Sequence, residues 1–321
     1  MSLNANGAGP DSVEADLDLV AIGEPMVEFN QRDPASPSFL MGHGGDTSNC
    51  AIAAARAGAR VGYLTRLGWD MFGDQFVELW RREGVDCSAV GRDEKAPTGI
   101  YFVTHGPDGH AFTYYRRHSA ASLMSPEWLP MGYIHRARLL YVSGISFAIS
   151  ESACDTMLAA IDTARLAGRE IALDTNLRLG LWSLPRARAI LAEAARMANI
   201  LRPSIDDARL LTGLENPDAI ADHYLRLGAR IVALTLGSAG ALIATGQHRV
   251  RLEPHAVACV DATGAGDTFG GAFLAAHLRG ADPFTAGRFA NAAAALATRD
   301  FGAVAPMPRR REIEAYLDGQ P

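Results

Sequence analysis

Two kinds of hydrophobic pattern alternate along most of the chain. From Ala137 onwards, short apolar runs of strand length are followed by segments whose apolar residues recur at helical spacing. The patterns predict strands at 139–145, 170–174, 199–202 and 230–236, and helices at 152–167, 185–198, 206–212 and 284–299. Repeated strand–helix units of this kind predict an α/β fold, with a doubly wound, mostly parallel sheet covered by helices on both faces.

The N-terminal third departs from this alternation. Residues 17–23 form another strand-length apolar run, and an alanine-rich helix is predicted at 50–58. Residues 30–41 are polar and interrupted by proline, which indicates an excursion from the main sheet. Residues 96–118 contain two β-rich runs joined by a Gly-Pro-Asp-Gly turn, as in a hairpin. We expect 30–41 and 96–118 to form a small sheet separate from the main one.

Composition limits the classes of partner. The 321 residues are 48% hydrophobic, which suits one large domain. The net charge of −6 argues against nucleic acid or an anionic membrane as the main partner. No apolar run approaches the roughly 18 residues that cross a bilayer, and the N-terminus lacks a signal-peptide pattern. We therefore predict a flexible tail at 1–16, a domain over 17–321 and a cytoplasmic location.

A glycine-rich corner at 257–271 carries the strongest chemical signal. An apolar run ends there and helical spacing begins, which places Gly264, Ala265 and Gly266 at or just before a helix N-terminus. Backbone N–H groups and the positive end of the helix dipole favour an anion at such a turn, most naturally a phosphate. Asp267 either complements the helix dipole or, beside a phosphate, accepts the proton of an attacking hydroxyl.

Two familiar phosphate-binding loops are excluded by spacing. Gly264-x-Gly266-x-x-x-Gly270 has one residue too many for the dinucleotide pattern G-x-G-x-x-G, and it lies near the C-terminal end of the chain. A Walker loop needs Gly-Lys-Ser/Thr, and the single lysine, Lys95, is in no such context.

Two segments resemble one known family. Asp261-Ala-Thr-Gly-Ala-Gly-Asp267 is similar to the D-T-x-G-A-G-D signature of the ribokinase-like (PfkB) sugar kinases, with Ala262 in place of the usual threonine. Gly44-Gly45-x-x-x-Asn49, before the alanine-rich helix, resembles the family's G-G-x-x-x-N motif. The resemblance covers about residue 17 to the end. It implies a ribokinase-like fold in which the small sheet is a lid over the sugar, with ATP, Mg²⁺ and optionally a monovalent cation as cofactors.

The family's chemistry can be placed on matching residues. The resemblance implies that the amides of Gly264, Ala265 and Gly266 hold the phosphoryl charge and that Asp267 is the catalytic base. It also implies a sugar near Gly45 and Asn49, because glycine allows close approach of the backbone and an amide both donates to and accepts from hydroxyls. A helix cap is the alternative role for Asn49.

Further resemblances concern the acceptor. Tyr101, Tyr114 and Arg116 lie on the hairpin, with Tyr114 and Arg116 on one face. Asn176 and Arg178 belong to Asp174-Thr-Asn-Leu-Arg178, which is similar to the D-x-N-x-R of the family's sugar-acid kinases. The alternative is packing within the lid for the two tyrosines and a solvated charge at the rim for Arg116. Asn176 and Arg178 could instead only stabilise their own loop.

Two arginines near the sugar would suit a carboxylate, which accepts paired N–H donors. The resemblance is strongest to the 2-keto-3-deoxygluconate kinases, so we expect phosphorylation of the terminal hydroxyl of that compound or a close sugar acid. A neutral-sugar kinase of the fructokinase or ribokinase type, and a non-catalytic sugar-binding regulator, are the alternatives.

The nucleotide side and the assembly complete the expectations. The resemblance implies nucleotide contacts at Ser204, Thr235, Gly237, Gly240, Gly264, Gly266 and Asn291. Ser204 and Asp207 stand where many relatives carry N-x-x-E, a motif that organises Mg²⁺ through water, so Asp207 is the candidate metal residue. Because an isolated small sheet needs cover for its edges or apolar face, we also predict a homo-oligomer through the lid.

Overall fold

The strands form one large and two small sheets. The computed structural model describes residues 15–31, 33, 36–106 and 109–319. In chain order the strands are β1 (Leu17–Ile22), β2 (Met26–Asn30), β3 (Leu40–Gly44), β4 (Val61–Leu64), β5 (Arg66–Gly68), β6 (Val85–Asp86), β7 (Gly91–Asp93), β8 (Gly99–Gly106), β9 (Gly109–Tyr115), β10 (Ala137–Ser143), β11 (Glu170–Asp174), β12 (Ile200–Arg202), β13 (Ile231–Thr235), β14 (Ala241–Thr245) and β15 (Arg249–Leu252).

The helices connect and cover these strands. In chain order they are α1 (Asp46–Arg56), α2 (Met71–Arg82), α3 (Met131–His135), α4 (Gly144–Ala148), α5 (Glu151–Leu166), α6 (Leu184–Met197), α7 (Ile205–Thr212), α8 (Pro217–Leu227), α9 (Ala265–Leu278), α10 (Pro283–Ala297) and α11 (Arg310–Leu317). No helix in the described ranges is long and apolar enough to cross a membrane.

The large sheet has nine strands in the order β15-β14-β13-β12-β11-β10-β1-β4-β6. The strands from β13 to β6 pair in parallel, while β14 and β15 are antiparallel additions at one edge. Alternate residues of β1 enter two separate cores: Leu19 and Ala21 pack with α1, α2 and α9–α11, while Val20 and Ile22 pack with α3–α8. The predicted doubly wound sheet with helices on both faces is confirmed.

The small four-stranded sheet has the order β3-β2-β8-β9 and forms the predicted β lid. It begins as soon as the chain leaves the large sheet after β1, and β8 with β9 forms the expected hairpin. The predicted strand region 30–41 is shifted, because the strands are β2 and β3, and the described residues between them (31, 33 and 36–39) belong to neither strand. Pro37, which has no N–H to donate to a ladder, lies in that connection. Pro107 and Asp108 of the expected turn lie outside the described residues.

Element boundaries in the C-terminal half follow the hydrophobic periods closely. β11 coincides with its prediction, and α5, α6 and α7 differ from theirs by one residue at most at either end. The helix expected at 50–58 was placed wrongly, because α1 begins at Asp46 after Gly45, whose φ of 108° strongly favours glycine. Asn49 is therefore inside the helix, and its alternative role as a helix cap is wrong.

The predicted tail at 1–16 mostly precedes the described residues, which begin at 15. At its end, Asp16 accepts a hydrogen bond of 2.7 Å from the guanidinium of Arg136.

Candidate active site

The glycine corner forms the N-terminus of α9. Gly264 is the N-cap residue, with φ 76°, and an added Cβ there would lie 2.7 Å from the carbonyl oxygen of Ala303. No side chain caps this helix. Asp261 fixes the approach, since its carboxylate accepts from the amides of Thr263 at 2.9 Å and Gly302 at 3.0 Å. The amide of Ala265 donates to the carbonyl oxygen of Ala262 over 3.2 Å. Gly264 and Gly266 supply the amides at this N-terminus that have no backbone partner within the described residues, and such amides suit an anion.

Close packing of α1 against α9 brings Asn49 to Asp267. At Gly271 an added Cβ would lie 2.4 Å from the carbonyl oxygen of Cys50, so this approach needs glycine. Asn49 Nδ2 donates to Asp267 Oδ2 over 2.9 Å. Asn49 Oδ1 is buried, and the described residues offer it no hydrogen-bond partner. A buried unpaired acceptor beside a carboxylate suits a ligand hydroxyl.

Asp46 is a second carboxylate at this site, and sequence reasoning missed it. It is the first residue of α1, where it accepts hydrogen bonds from the Ser143 hydroxyl at the end of β10 and from Asn176 Nδ2 at 2.9 Å. Helix α1, the end of β10 and the loop after β11 thus meet at one buried carboxylate. Its place directly after Gly44-Gly45 was the available signal.

The surroundings of Asp267 change its acidity. Burial is the main cause that raises its pKa, and the charge of Asp46 raises it further. Arg202, the hydrogen bond from Asn49 and Arg178 act in the opposite direction, and the result is a pKa of about 7. A general base works best with a pKa near the operating pH, so this carboxylate is suited to accept a proton near neutrality.

The lid places a row of polar and aromatic groups over the site. Glu28, Tyr101 and Tyr114 are neighbours across β2, β8 and β9. The Tyr101 hydroxyl donates to Glu28 Oε2 over 2.6 Å, and the rings of Tyr101 and Tyr114 lie 5.7 Å apart. An added Cβ at Gly44 would lie 2.4 Å from the Tyr101 hydroxyl, so the glycine motif and the lid are in close contact.

Arg116 lies in the lid as expected but has a carboxylate partner. Its guanidinium forms a buried ion pair with Glu24, and Nε donates to Glu24 Oε2 over 2.7 Å. The guanidinium carbon also lies 5.9 Å from the ring centre of Tyr114. Sequence reasoning did not foresee the role of Glu24, which lies in the connection between β1 and the lid.

Asn176 and Arg178 follow β11 in a loop beside Asp267. Arg178 is exposed, and Nη1 donates to the carbonyl oxygen of Leu177 over 2.8 Å. Within the described ranges Arg178 forms no ion pair, yet it is near enough to lower the pKa of both Asp207 and Asp267. Of the two arginines expected to face an acidic ligand, Arg178 is the one whose charge is not matched by a salt bridge.

The residues expected on the nucleotide side are spread over several loops. Ser204 caps α7 and bridges to Thr235 at the end of β13. Gly237 and Gly240 have φ values of 61° and 87° in the turn before β14. Asn291 on α10 donates to the carbonyl oxygen of Glu253 over 2.8 Å. These contacts are compatible with loop structure alone.

Asp207 is half-buried at the start of α7. Its carboxylate accepts from the amide of Leu177 over 3.1 Å, and burial raises its pKa. Across the described segments, no three His, Cys, Asp or Glu side chains are grouped to hold a metal ion.

Comparison with known proteins decides the family. The pattern of the pfkB family carbohydrate kinases matches residues 16–310. The chain belongs to this family. It is 36% identical to 2-dehydro-3-deoxygluconokinase of Thermoproteus tenax, over 96% of this chain and 97% of that one. It is 34% identical to 2-dehydro-3-deoxygluconokinase of Bacillus subtilis (strain 168), over 95% and 96%.

Solved structures of the family have the same architecture. Fructokinase of Vibrio cholerae O395, in the form with bound fructose, ADP and calcium ion, is 27% identical with a TM-score of 0.83, and the match covers 94% of this chain and 99% of that chain. ATP and Mg²⁺ are the cofactors that pfkB kinases generally use. Like its relatives, this chain is a carbohydrate kinase of ribokinase-like fold.

Proposed function

We propose that the chain transfers the γ-phosphoryl group of ATP to the terminal hydroxyl of 2-keto-3-deoxygluconate, which is also called 2-dehydro-3-deoxygluconate, or of a close sugar acid. The observation that carries this proposal is the position of Arg178. It is an exposed guanidinium without a salt bridge in the described ranges, and it is close enough to Asp267 to lower its pKa. A carboxylate at one end of the acceptor would form an ion pair with Arg178, while the hydroxyl at the other end reaches Asp267.

The proposed reaction uses the residues of the α9 corner. The acceptor hydroxyl lies between Asn49 Oδ1 and Asp267, and Asp267 accepts its proton as the new O–P bond forms. The amides of Gly264 and Gly266, joined by that of Ala265 when it shares its bond to Ala262 with the ligand, stabilise the charge on the transferred phosphoryl group. The protein's contribution is therefore alignment, proton acceptance and charge stabilisation.

The single carboxylate of Asp207 fits a hydrated Mg²⁺ that would be held mainly by the nucleotide phosphates. Mg²⁺ commonly keeps several waters and uses one or two carboxylates together with substrate phosphates. Asp207 supplies one half-buried carboxylate, already partly engaged by the Leu177 amide, which favours contact through water. The ion would neutralise phosphate charge during transfer. We place the adenine nucleotide along Ser204, Thr235, Gly237, Gly240, Gly264, Gly266 and Asn291.

The lid completes the acceptor site in this proposal. Gly45, Tyr101 and Tyr114 line it, and Asn176 contributes a side-chain amide that Asp46 orients. Arg116 is a second carboxylate contact, weaker than Arg178 because Glu24 already matches its charge. Glu28 would deter a carboxylate from the Tyr101 end of the site, which fixes the orientation of an acidic acceptor.

A substrate panel tests the proposal. ADP release is measured with 2-keto-3-deoxygluconate, its nearest sugar-acid relatives, fructose and ribose, with and without Mg²⁺ and K⁺. We expect the highest kcat/KM with the 2-keto-3-deoxy sugar acid and no turnover without a divalent ion. Preference for fructose or ribose would overturn the acid assignment and leave a neutral-sugar kinase. Tight sugar binding without ADP release would instead indicate a regulator.

A further inference from the structure

Arg202 lies at the end of β12 against the first turn of α9. Its side chain is buried, and Nη1 donates to the carbonyl oxygen of Gly266 over 2.8 Å. It passes α9 at Gly270, where an added Cβ would lie 2.7 Å from Arg202 Nε. The missing side chain at Gly270 thus leaves the space that the guanidinium occupies. None of the sequence motifs pointed to Arg202.

Asp174 connects this arginine to the loop at 174–178, which carries Asn176 and Arg178. Asp174 ends β11 and forms a buried ion pair with Arg202 through Oδ2. Its other oxygen, Oδ1, accepts from the amide of Asn176 over 3.2 Å. Asn176 has a φ of 29°, a conformation that a residue with a side chain rarely adopts. The hydrogen bond from its amide to Asp174 helps to hold the loop in this conformation.

We propose that Arg202, held by Asp174, is a positioning residue that sets the anion-binding turn at 264–267 against the acceptor loop at 174–178. One planar guanidinium contacts both segments, so the amides that hold the phosphoryl group and the loop that carries Arg178 keep a constant separation. This role rests on the phosphoryl transfer proposed above but not on which sugar is the acceptor.

The charge of Arg202 has a second effect at the same place. Arg202 lowers the pKa of Asp267 and so opposes the effects of burial and of Asp46. The titratable and charged groups that interact with Asp267 come from α1, β8, β10, the acceptor loop and β12: Asp46, Cys50, Tyr101, Tyr141, Arg178 and Arg202. Loss of this charge should therefore shift the pH profile of kcat, whereas a loss of packing alone would not.

The main test is the double variant Asp174→Asn/Arg202→Met, which leaves no buried charge without a partner. The new amide oxygen still accepts from the amide of Asn176. We expect kcat to fall roughly 10- to 100-fold, while the KM of each substrate changes by less than about threefold. The acidic limb of the kcat profile moves to higher pH, because Arg202 is among the main groups that lower the pKa of Asp267, whereas the Asp174 charge removed with it is not among the main groups that raise it.

Two single variants separate hydrogen bonding from charge and control for nonspecific effects. Arg202→Lys keeps the charge but cannot hold both segments in the same planar geometry, so kcat should fall while the acidic limb stays near that of the wild type. Arg138→Met is the matched control. Arg138 Nη1 donates to the carbonyl oxygen of Leu278 over 2.7 Å, at the opposite end of the same helix, α9. It should change neither readout.

Hydrogen exchange gives a readout that needs no turnover. The amides of 264–270 should exchange faster in the double variant than in the wild type or in Arg138→Met. A folded double variant with wild-type kcat, pH profile and exchange would overturn the proposal, as would a lower kcat with unchanged exchange. If the double variant does not fold, Arg202→Lys tests the proposal. A lower kcat with faster exchange of the 264–270 amides supports it, and wild-type kcat and exchange overturn it. If the wild type phosphorylates no sugar of the panel, the proposed function fails, and exchange still tests the role of Arg202.

Discussion

Asn49 on α1 donates a hydrogen bond of 2.9 Å to Asp267 on α9, across 218 positions of sequence. The contact depends on Gly271, which lets the two helices approach closely. It orients one carboxylate oxygen and leaves Asn49 Oδ1 facing a place where the described residues provide no donor. We propose that the acceptor hydroxyl binds between these two side chains.

Asp267→Asn should lower kcat by roughly 10²–10⁴ and leave sugar binding nearly unchanged, because the amide cannot accept the proton but still accepts from Asn49. Steady-state kinetics and sugar titration measure the two effects. Asp282→Asn is the control, since Asp282 caps α10 without contacting the site residues. Near-normal turnover by Asp267→Asn would remove Asp267 from the role of base.

The activity should fall as the pH decreases through about 7, because Asp267 must be ionised to accept a proton and its pKa is about 7. Asp46→Asn should move this limb to lower pH, since the charge of Asp46 raises the pKa of Asp267. The kcat profile between pH 5 and 9 measures the shift. A limb that stays in place would show that Asp46 does not control the base.

Asp267→Asn should also stabilise the fold, and by more at higher pH. The pKa of Asp267 is raised in the folded state, so the wild type loses stability as the pH rises from about 4 to about 7. The variant avoids this loss, and its free energy of unfolding at pH 8 should exceed that of the wild type by on the order of 1–3 kcal/mol, with a smaller gain at pH 5. Denaturant titrations at both pH values measure the difference, and an equal gain at both would contradict the assignment.

Arg178→Leu should reduce kcat/KM for the sugar acid by on the order of 1.5–3 kcal/mol and have a much smaller effect on any neutral sugar that is turned over. The reason is that a carboxylate loses its charged partner, whereas hydroxyls lose only a hydrogen bond. Arg188→Leu is the matched control, because Arg188 also donates to a backbone carbonyl, that of Leu210. Equal losses for acidic and neutral substrates would refute the carboxylate contact.

The lid should form a contact between two copies of the chain. Its edge strands β3 and β9, with the residue before β3, expose large apolar side chains: Phe39, Leu40, Met41, Phe112, Tyr114 and Tyr115. Leu40→Glu should convert a dimer into monomers, since it adds charge at an edge strand. Leu166→Glu, at an α5 residue that is 91% exposed, should not. Light scattering measures the mass, and a fully active monomeric wild type would contradict the prediction.

The local elements could be read from the sequence because they are set by short-range rules. Periods of two and 3.6 in the apolar residues placed β11 and α5–α7 almost at their observed ends. The α9 corner was recognisable because its glycines obey backbone constraints that are visible in the chain itself, as the left-handed φ of Gly264 shows. The start of α1 was missed, since Gly45 begins that helix through its own backbone conformation and not through a capping side chain.

The sequence by itself determined the doubly wound sheet, the separate lid and the glycine corner with Asp267, because each depends on residues that are near one another in the chain. Only the tertiary structure showed which charged and polar side chains meet. It paired Arg116 with Glu24, Arg202 with Asp174, and Asn176 with Asp46, and it left Arg178 exposed and close enough to Asp267 to lower its pKa. Such pairs join residues tens to more than a hundred positions apart, and the strength of a charge interaction depends on distance and burial, which no local pattern encodes.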